Sequence, residues 1–187
     1  MYIDEISPTL QDIFPDSEIE NQSPETWQIQ NEKVRILVIL SADNSWLRLL
    51  TPITPAMQVQ SLLPQLLADN FDRTQEVRYA LEQGVVWGVF HHRLASLTIE
   101  DFQSAIAKLV NLAQTGVSES FNRLIEQRIK QIVKAAKSQG QNLEATYQTL
   151  DRFYQEGMLG GVDQDPQQRE QFLAAWKYQL ERLWNEE

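Results

Sequence analysis

The residues best equipped for chemistry are the pair His91-His92, the carboxylates Asp163, Asp165 and Glu170, and the serines. His91-His92 closes a run of apolar and β-branched residues. On a strand the two imidazoles point to opposite faces, so one metal ion cannot be gripped by both. Neither lies in an HExxH context, and no cysteine or third histidine exists to complete a zinc site. Asp163 and Asp165, in GGVDQDPQQRE, faintly suggest a calcium loop, but the spacing to Glu170 is wrong for an EF-hand and Pro166 interrupts it. Gly160 and Gly161 follow no strand, so they form no phosphate-cradling loop. No serine stands in a GxSxG setting. The 5 tryptophans have a π-face for a base or a sugar, yet without a basic groove they read as core or interface anchors. The expectation is a protein that is not an enzyme, with no catalytic residue, no cofactor and no metal.

The bulk properties narrow the partners. A chain of 187 residues, 42% hydrophobic, is long enough for a real core and too apolar for general disorder. The net charge of −10 sets most of the surface against a phosphate backbone, so no nucleic acid is expected. The longest uninterrupted apolar run is Ile36–Leu40, far short of a membrane span, and MYIDEISPTL lacks the features of a secretory signal. On those two grounds the expected location is cytoplasmic, and the lack of cysteine is compatible with a reducing compartment. Residues 1–32 hold eight carboxylates and no Lys or Arg, whereas residues 118–187 carry nine basic against eleven acidic side chains. The acidic start reads as a solvated surface, with a docking surface for a basic partner as the alternative.

These residues must be positioned by an α+β framework. A short helix is expected within 7–20, capped by Ser7 with Pro8 in its first turn. Trp27–Gln30 alternates like a strand; Val34–Leu40 is β-branched and apolar at both parities, the mark of a strand covered on both faces or facing an interface. SADNS at 41–45 is turn chemistry, and Trp46–Ile53 is the third strand of an antiparallel meander. Gln58–Phe71 has helical spacing, with Ser61 as the expected cap. Val77–Glu82 and Val85–Arg93 form a hairpin turned at Gly84, and Gly88 marks close packing of a helix on its strand. Thr98 with Asp101 is a capping pair ahead of the stripe Ile99, Phe102, Ile106, Leu109, Val110 and Ala113. Gln114-Thr115-Gly116 predicts a stop or kink, with Ser118 capping the next helix. Two further helices are expected over Leu143–Tyr154 and Pro166–Trp184.

LLADNF at 66–71, VRYALE at 77–82, VVWGVFHHRLASL at 85–97 and TIEDFQSAIAKLVNLA at 98–113 carry a family likeness. Over about residues 5–115 the chain resembles the type III secretion chaperone-like fold, which includes the Tir-chaperone group and the YbjN-like proteins. The resemblance implies an antiparallel five-stranded sheet packed with helices in the order α-βββ-α-ββ-α. It also implies an acidic homodimer that holds another polypeptide on apolar pockets and strand edges. The chain then divides at 1–116, the chaperone-like domain, and 117–187, a helical extension the resemblance does not cover.

The function expected is a non-enzymatic protein-binding module, chaperone- or adaptor-like, with Trp27, Ile29, Trp46, Trp87 and Phe90 as partner or dimer contacts. A scaffold acting through its C-terminal helices is the alternative. An enzyme or ligand-binding protein built on pocket carboxylates is the third reading, which no spacing supports.

Overall fold

Large apolar residues at alternate positions build a sheet whose one face is sealed by helices. The computed structural model describes residues 1–155 and 166–186, so Gly160, Gly161, Asp163 and Asp165 lie outside the described residues. Two compact units result, Met1–Ser120 and Phe121–Glu187. The first contains α1 (Ile3–Ile13), β1 (Glu18–Ser23), β2 (Thr26–Gln30), β3 (Arg35–Leu40) and β4 (Trp46–Pro55). A 3₁₀ turn, Ala56–Leu62, leads to α2 (Leu63–Asp69), β5 (Arg78–Glu82), β6 (Val85–Arg93) and α3 (Ile99–Asn111).

The sheet is antiparallel throughout, in the order β1-β2-β3-β4-β6-β5. It has six strands where the sequence predicts five. The extra strand is β1, EIENQS, an edge strand with only Ile19 and Ser23 partly buried, so it shows no apolar alternation. The first helix also differs. It begins at Ile3 and ends at Ile13, with Pro8 inside it rather than in its first turn. Ser7 is no cap. Its hydroxyl accepts from the Trp27 indole N–H at 2.8 Å, and the Glu5 carboxylate accepts from the Tyr2 N–H at 2.6 Å.

Trp27, Ile29, Ile36, Val38, Leu40, Leu47, Leu49, Val86 and Phe90 are buried on the sheet's inner face, and Ile6, Leu10, Phe102, Ile106 and Leu109 are the buried helix residues of the same unit. Helix α3 packs against β4, β6 and α1. At Gly88 an added Cβ would lie 2.9 Å from Thr51 Cγ2 and 3.0 Å from Leu109 Cδ2, so α3 comes down directly on β6 there. The β5–β6 hairpin turns through Gln83 (φ 48°) and Gly84 (φ 75°), the two left-handed residues of a I′ connection.

Thr98 caps α3 by accepting the Asp101 N–H at 3.0 Å, while its own hydroxyl donates to the Asp101 carboxylate at 2.7 Å. The chain does not stop at Gly116. A π-helical turn over Leu112–Gly116 runs on into α4 (Val117–Ser138), and Ser118, expected as a cap, donates to the Thr115 carbonyl instead. The expected helix over 58–71 is shorter, because the chain reaches Leu63 in a 3₁₀ turn and Ser61 caps nothing. Asp69, 3% exposed, accepts from Ser120 Oγ at 2.5 Å and Gln65 Nε2 at 3.0 Å, which ties α2 to the first turn of α4.

The second unit is built from α4, α5 (Leu143–Gln155) and α6 (Pro166–Glu186). Ile125, Ile129, Val133, Leu150, Trp176, Leu180 and Leu183 form its own buried core.

Candidate partner-binding face

Strand parity sends every second side chain to the face opposite the core. Leu37, Leu50 and Val89 are successive partners across β3, β4 and β6 there, all half-buried. Pro52, Trp87 and Ala80 form a second row, also half-buried. A third row is Ile39, Arg48 and His91, and Trp46 pairs with Arg93 beyond it. The result is an apolar band with a cationic corner. The Arg93 guanidinium lies 5.7 Å from the Trp46 ring centroid. Burial first, and the Arg48 charge second, hold the His91 pKa below its ordinary value. His92 points the other way, stacked on Phe90 with its Nδ1 2.8 Å from the Arg93 carbonyl, so the two histidines do part as the strand geometry requires.

Two grooves flank Trp46. One, of ≈ 930 Å³, is lined by Tyr2, Asp4, Asn44, Trp46, Arg93 and Leu94 among others. The other, of ≈ 260 Å³, is lined by Ile39, Ser41, Trp46, Arg48 and His91 among others. The turn below them is held by Asp43, whose carboxylate accepts from Ser41 Oγ, Ser45 Oγ and the Ser45 N–H. Those hydrogen bonds, led by Ser41, bring the Asp43 pKa down to about 2.

A separate apolar patch lies where α2 meets β5. Leu67, Phe71 and Leu81 are 70%, 92% and 57% exposed. Leu63, Leu66, Leu67, Tyr79, Leu81 and Val86 line a cleft of ≈ 200 Å³ there. Asn70, in the same cleft, clamps the edge strand. Its Oδ1 accepts the Tyr79 N–H at 2.8 Å and its Nδ2 donates to the Tyr79 carbonyl at 3.0 Å.

Of the five contact residues expected from the sequence, Trp27, Ile29 and Phe90 are 3%, 0% and 3% exposed on the helix-covered face, which corrects the expectation that they meet a partner at this chain's surface. Trp46, 46% exposed, and Trp87, half-buried, do lie on the open face. Leu67, Phe71 and Leu81 were missed. Their signal was available in part: the stretch 58–71 holds Leu62, Leu63, Leu66, Leu67 and Phe71, more large apolar residues than one buried stripe needs, and α2 ends at Asp69, before Phe71. Among the described residues no group of three or more His, Cys, Asp or Glu could hold a metal ion, and no helix is long and apolar enough to cross a membrane.

No protein-family model matches the chain. No curated protein matches it either. Solved structures similar to it include a chain of the ExsC–ExsE complex, at 18% identity over 60% of this chain and 90% of the other, with a TM-score of 0.45. Another belongs to the heterodimeric complex ExoU–SpcU from the type III secretion system of Pseudomonas aeruginosa, at 15% identity over 62% and 93%, TM-score 0.46. A third is the Yersinia pestis type III secretion chaperone SycH in complex with a fragment of YscM2, at 16% identity over 58% and 97%, TM-score 0.43. The likeness is one of fold.

Proposed function

We propose that the chain is a non-enzymatic, cytoplasmic protein-binding module with a chaperone- or adaptor-like role, acting as a homodimer. The observation that carries this reading is the apolar band Leu37, Leu50, Val89, Pro52 and Trp87, which lies opposite the helix-sealed face of its own unit. Apolar patches of this kind mark places where another protein docks. The α2–β5 patch, with Leu67, Phe71 and Leu81 exposed, is the surface offered to a second copy.

Two measurements test it. Trp87→Ser leaves the fold intact and abolishes capture of the partner from native lysate; persistent capture removes the band as the site. Leu67→Asp with Phe71→Asp turns a dimer into a monomer by light scattering; a wild-type chain that is already monomeric ends the homodimer reading.

A second reading, a scaffold that acts through its C-terminal helices, is supported by the separate core of the second unit and by Tyr178, 66% exposed on α6. Removing residues 121–187 discriminates: capture retained favours the sheet face, capture lost favours the helices.

A further inference from the structure

The chain carries a net charge of −10, yet the outward side chains of β2, β3, β4 and β6 include no acid. The charged ones are Arg35, Arg48 and Arg93, with His91 beside them. Arg35 is engaged by the Gln28 side chain at 3.2 Å. Arg48 and Arg93 pair with no carboxylate among the described residues; Asp4 lines the larger groove without bridging to either. Elsewhere basic side chains do find acids, as Lys108 does with Glu76 and Lys130 with Glu126. An island of unneutralised cations on an acidic protein, set against an aromatic ring and an apolar band, is complementary to negative charge on an apolar support.

We infer that the Trp46–Arg48–His91–Arg93 corner docks an extended polypeptide segment bearing carboxylates at alternate positions beside an apolar side chain, an inference that rests on the protein-binding reading and specifies its partner's chemistry. The register supplies the spacing. Arg48 faces His91 and Trp46 faces Arg93, so Arg48 and Arg93 are diagonal neighbours on β4 and β6. Diagonal positions of this kind are about 7–8 Å apart. Two carboxylates separated by one residue of an extended chain point to the same side about 7 Å apart. Each meets one guanidinium. An adjoining apolar side chain then enters a groove beside Trp46, whose ring walls both of them. A duplex nucleic acid is a poorer fit, because the chain's net charge of −10 repels a long phosphate backbone that extends beyond this corner.

The test uses the full chain against a displayed library of random twelve-residue peptides, with Arg48→Glu/Arg93→Glu as the counter-target. Both arginines are exposed, so the double variant keeps the wild-type melting midpoint and circular dichroism. Sequences enriched on the wild-type chain are expected to carry Asp or Glu at alternate positions next to an apolar residue. A fluorescein-labelled copy of the best peptide loses about tenfold or more in affinity for the double variant, the size expected for two exposed ion pairs. Its binding weakens as NaCl is raised, and the same peptide with Lys in place of its acids binds the double variant in preference to the wild type. Enriched peptides that lack acids, lose binding to Trp87→Ser and ignore the arginines overturn the inference and leave the protein-binding reading standing. No enrichment over the bare support overturns both. A salt-sensitive dimer that Arg48→Glu/Arg93→Glu takes apart gives the corner to a second copy and overturns the partner assigned here.

Discussion

Arg48 and His91 stand directly across from each other on β4 and β6, so a fixed positive charge faces the one imidazole on the open face of the sheet. The arginine and the crowding around the ring both disfavour protonation, and the crowding is the larger cause. A histidine whose pKa falls on folding is protonated more readily in the unfolded chain. Its contribution to stability is therefore complete above the ordinary histidine range and declines as pH drops from about 6.5 toward the lowered folded value. An NMR titration is expected to place the His91 midpoint below the ordinary histidine value of about 6.5. In Arg48→Gln the midpoint rises part of the way only, since the burial remains. A midpoint unmoved by Arg48→Gln removes the arginine as a cause.

Asn70 gives β5 the two hydrogen bonds that a neighbouring strand would supply. Asn70→Ala forfeits both, at about 0.5–1.5 kcal/mol each. Urea denaturation is expected to show a loss of about 1–3 kcal/mol, and hydrogen exchange at the Tyr79 amide accelerates beyond what that loss explains. Protection of that amide unchanged in the variant means the clamp does not hold the strand.

Gly88 leaves no room for a methyl group between Thr51 and Leu109. Gly88→Ala is expected to destabilise by about 1–3 kcal/mol, because the Thr51 and Leu109 side chains must shift to admit the methyl group. Directly opposite, Thr51 is fully buried and its hydroxyl has no hydrogen-bond partner. Thr51→Val removes the unpaired hydroxyl and raises stability by about 1 kcal/mol. The two substitutions, read by the same denaturation, move in opposite directions; a destabilised Thr51→Val means the hydroxyl is paired.

Phe90 and Trp87, three residues apart on β6, test which face is which. Phe90→Ala empties a core position and costs about 3–5 kcal/mol, whereas Trp87→Ala on the open face costs about 1 kcal/mol. Equal losses mean that both faces are covered.

Strand parity made most of this legible. It put Val85, Trp87 and Val89 on one face and Val86, Gly88 and Phe90 on the other, and those groupings hold. What parity cannot say is which group the helices cover, and Trp87 and Phe90, of opposite parity, cannot share a surface on one strand. The aromatic character of Trp27 and Phe90 suggested a contact surface, but aromatic residues serve a core equally well. Strand β1 escaped because an edge strand with polar side chains on both faces has no period to read. The run through Gly116 looked like a helix end, since glycine usually marks one; a π turn carries the backbone through it. Asn70 was visible only as part of a corner motif, because a side chain that bonds to backbone nine residues away leaves no local spacing to detect.

The clamp at Tyr79 occupies the outward hydrogen-bonding groups of one residue on the β5 border of the sheet, and within its own unit no described strand pairs with the far side of β1. Two copies joined through β1 would each use that border, so the pairing is isologous and closes at two chains instead of lengthening into a fibre. Even that pairing is discouraged, because Glu18 and Glu20 put negative charge on the border of both molecules. The charge on this edge thus works against polymerisation through the backbone in a protein whose open sheet face carries an apolar band.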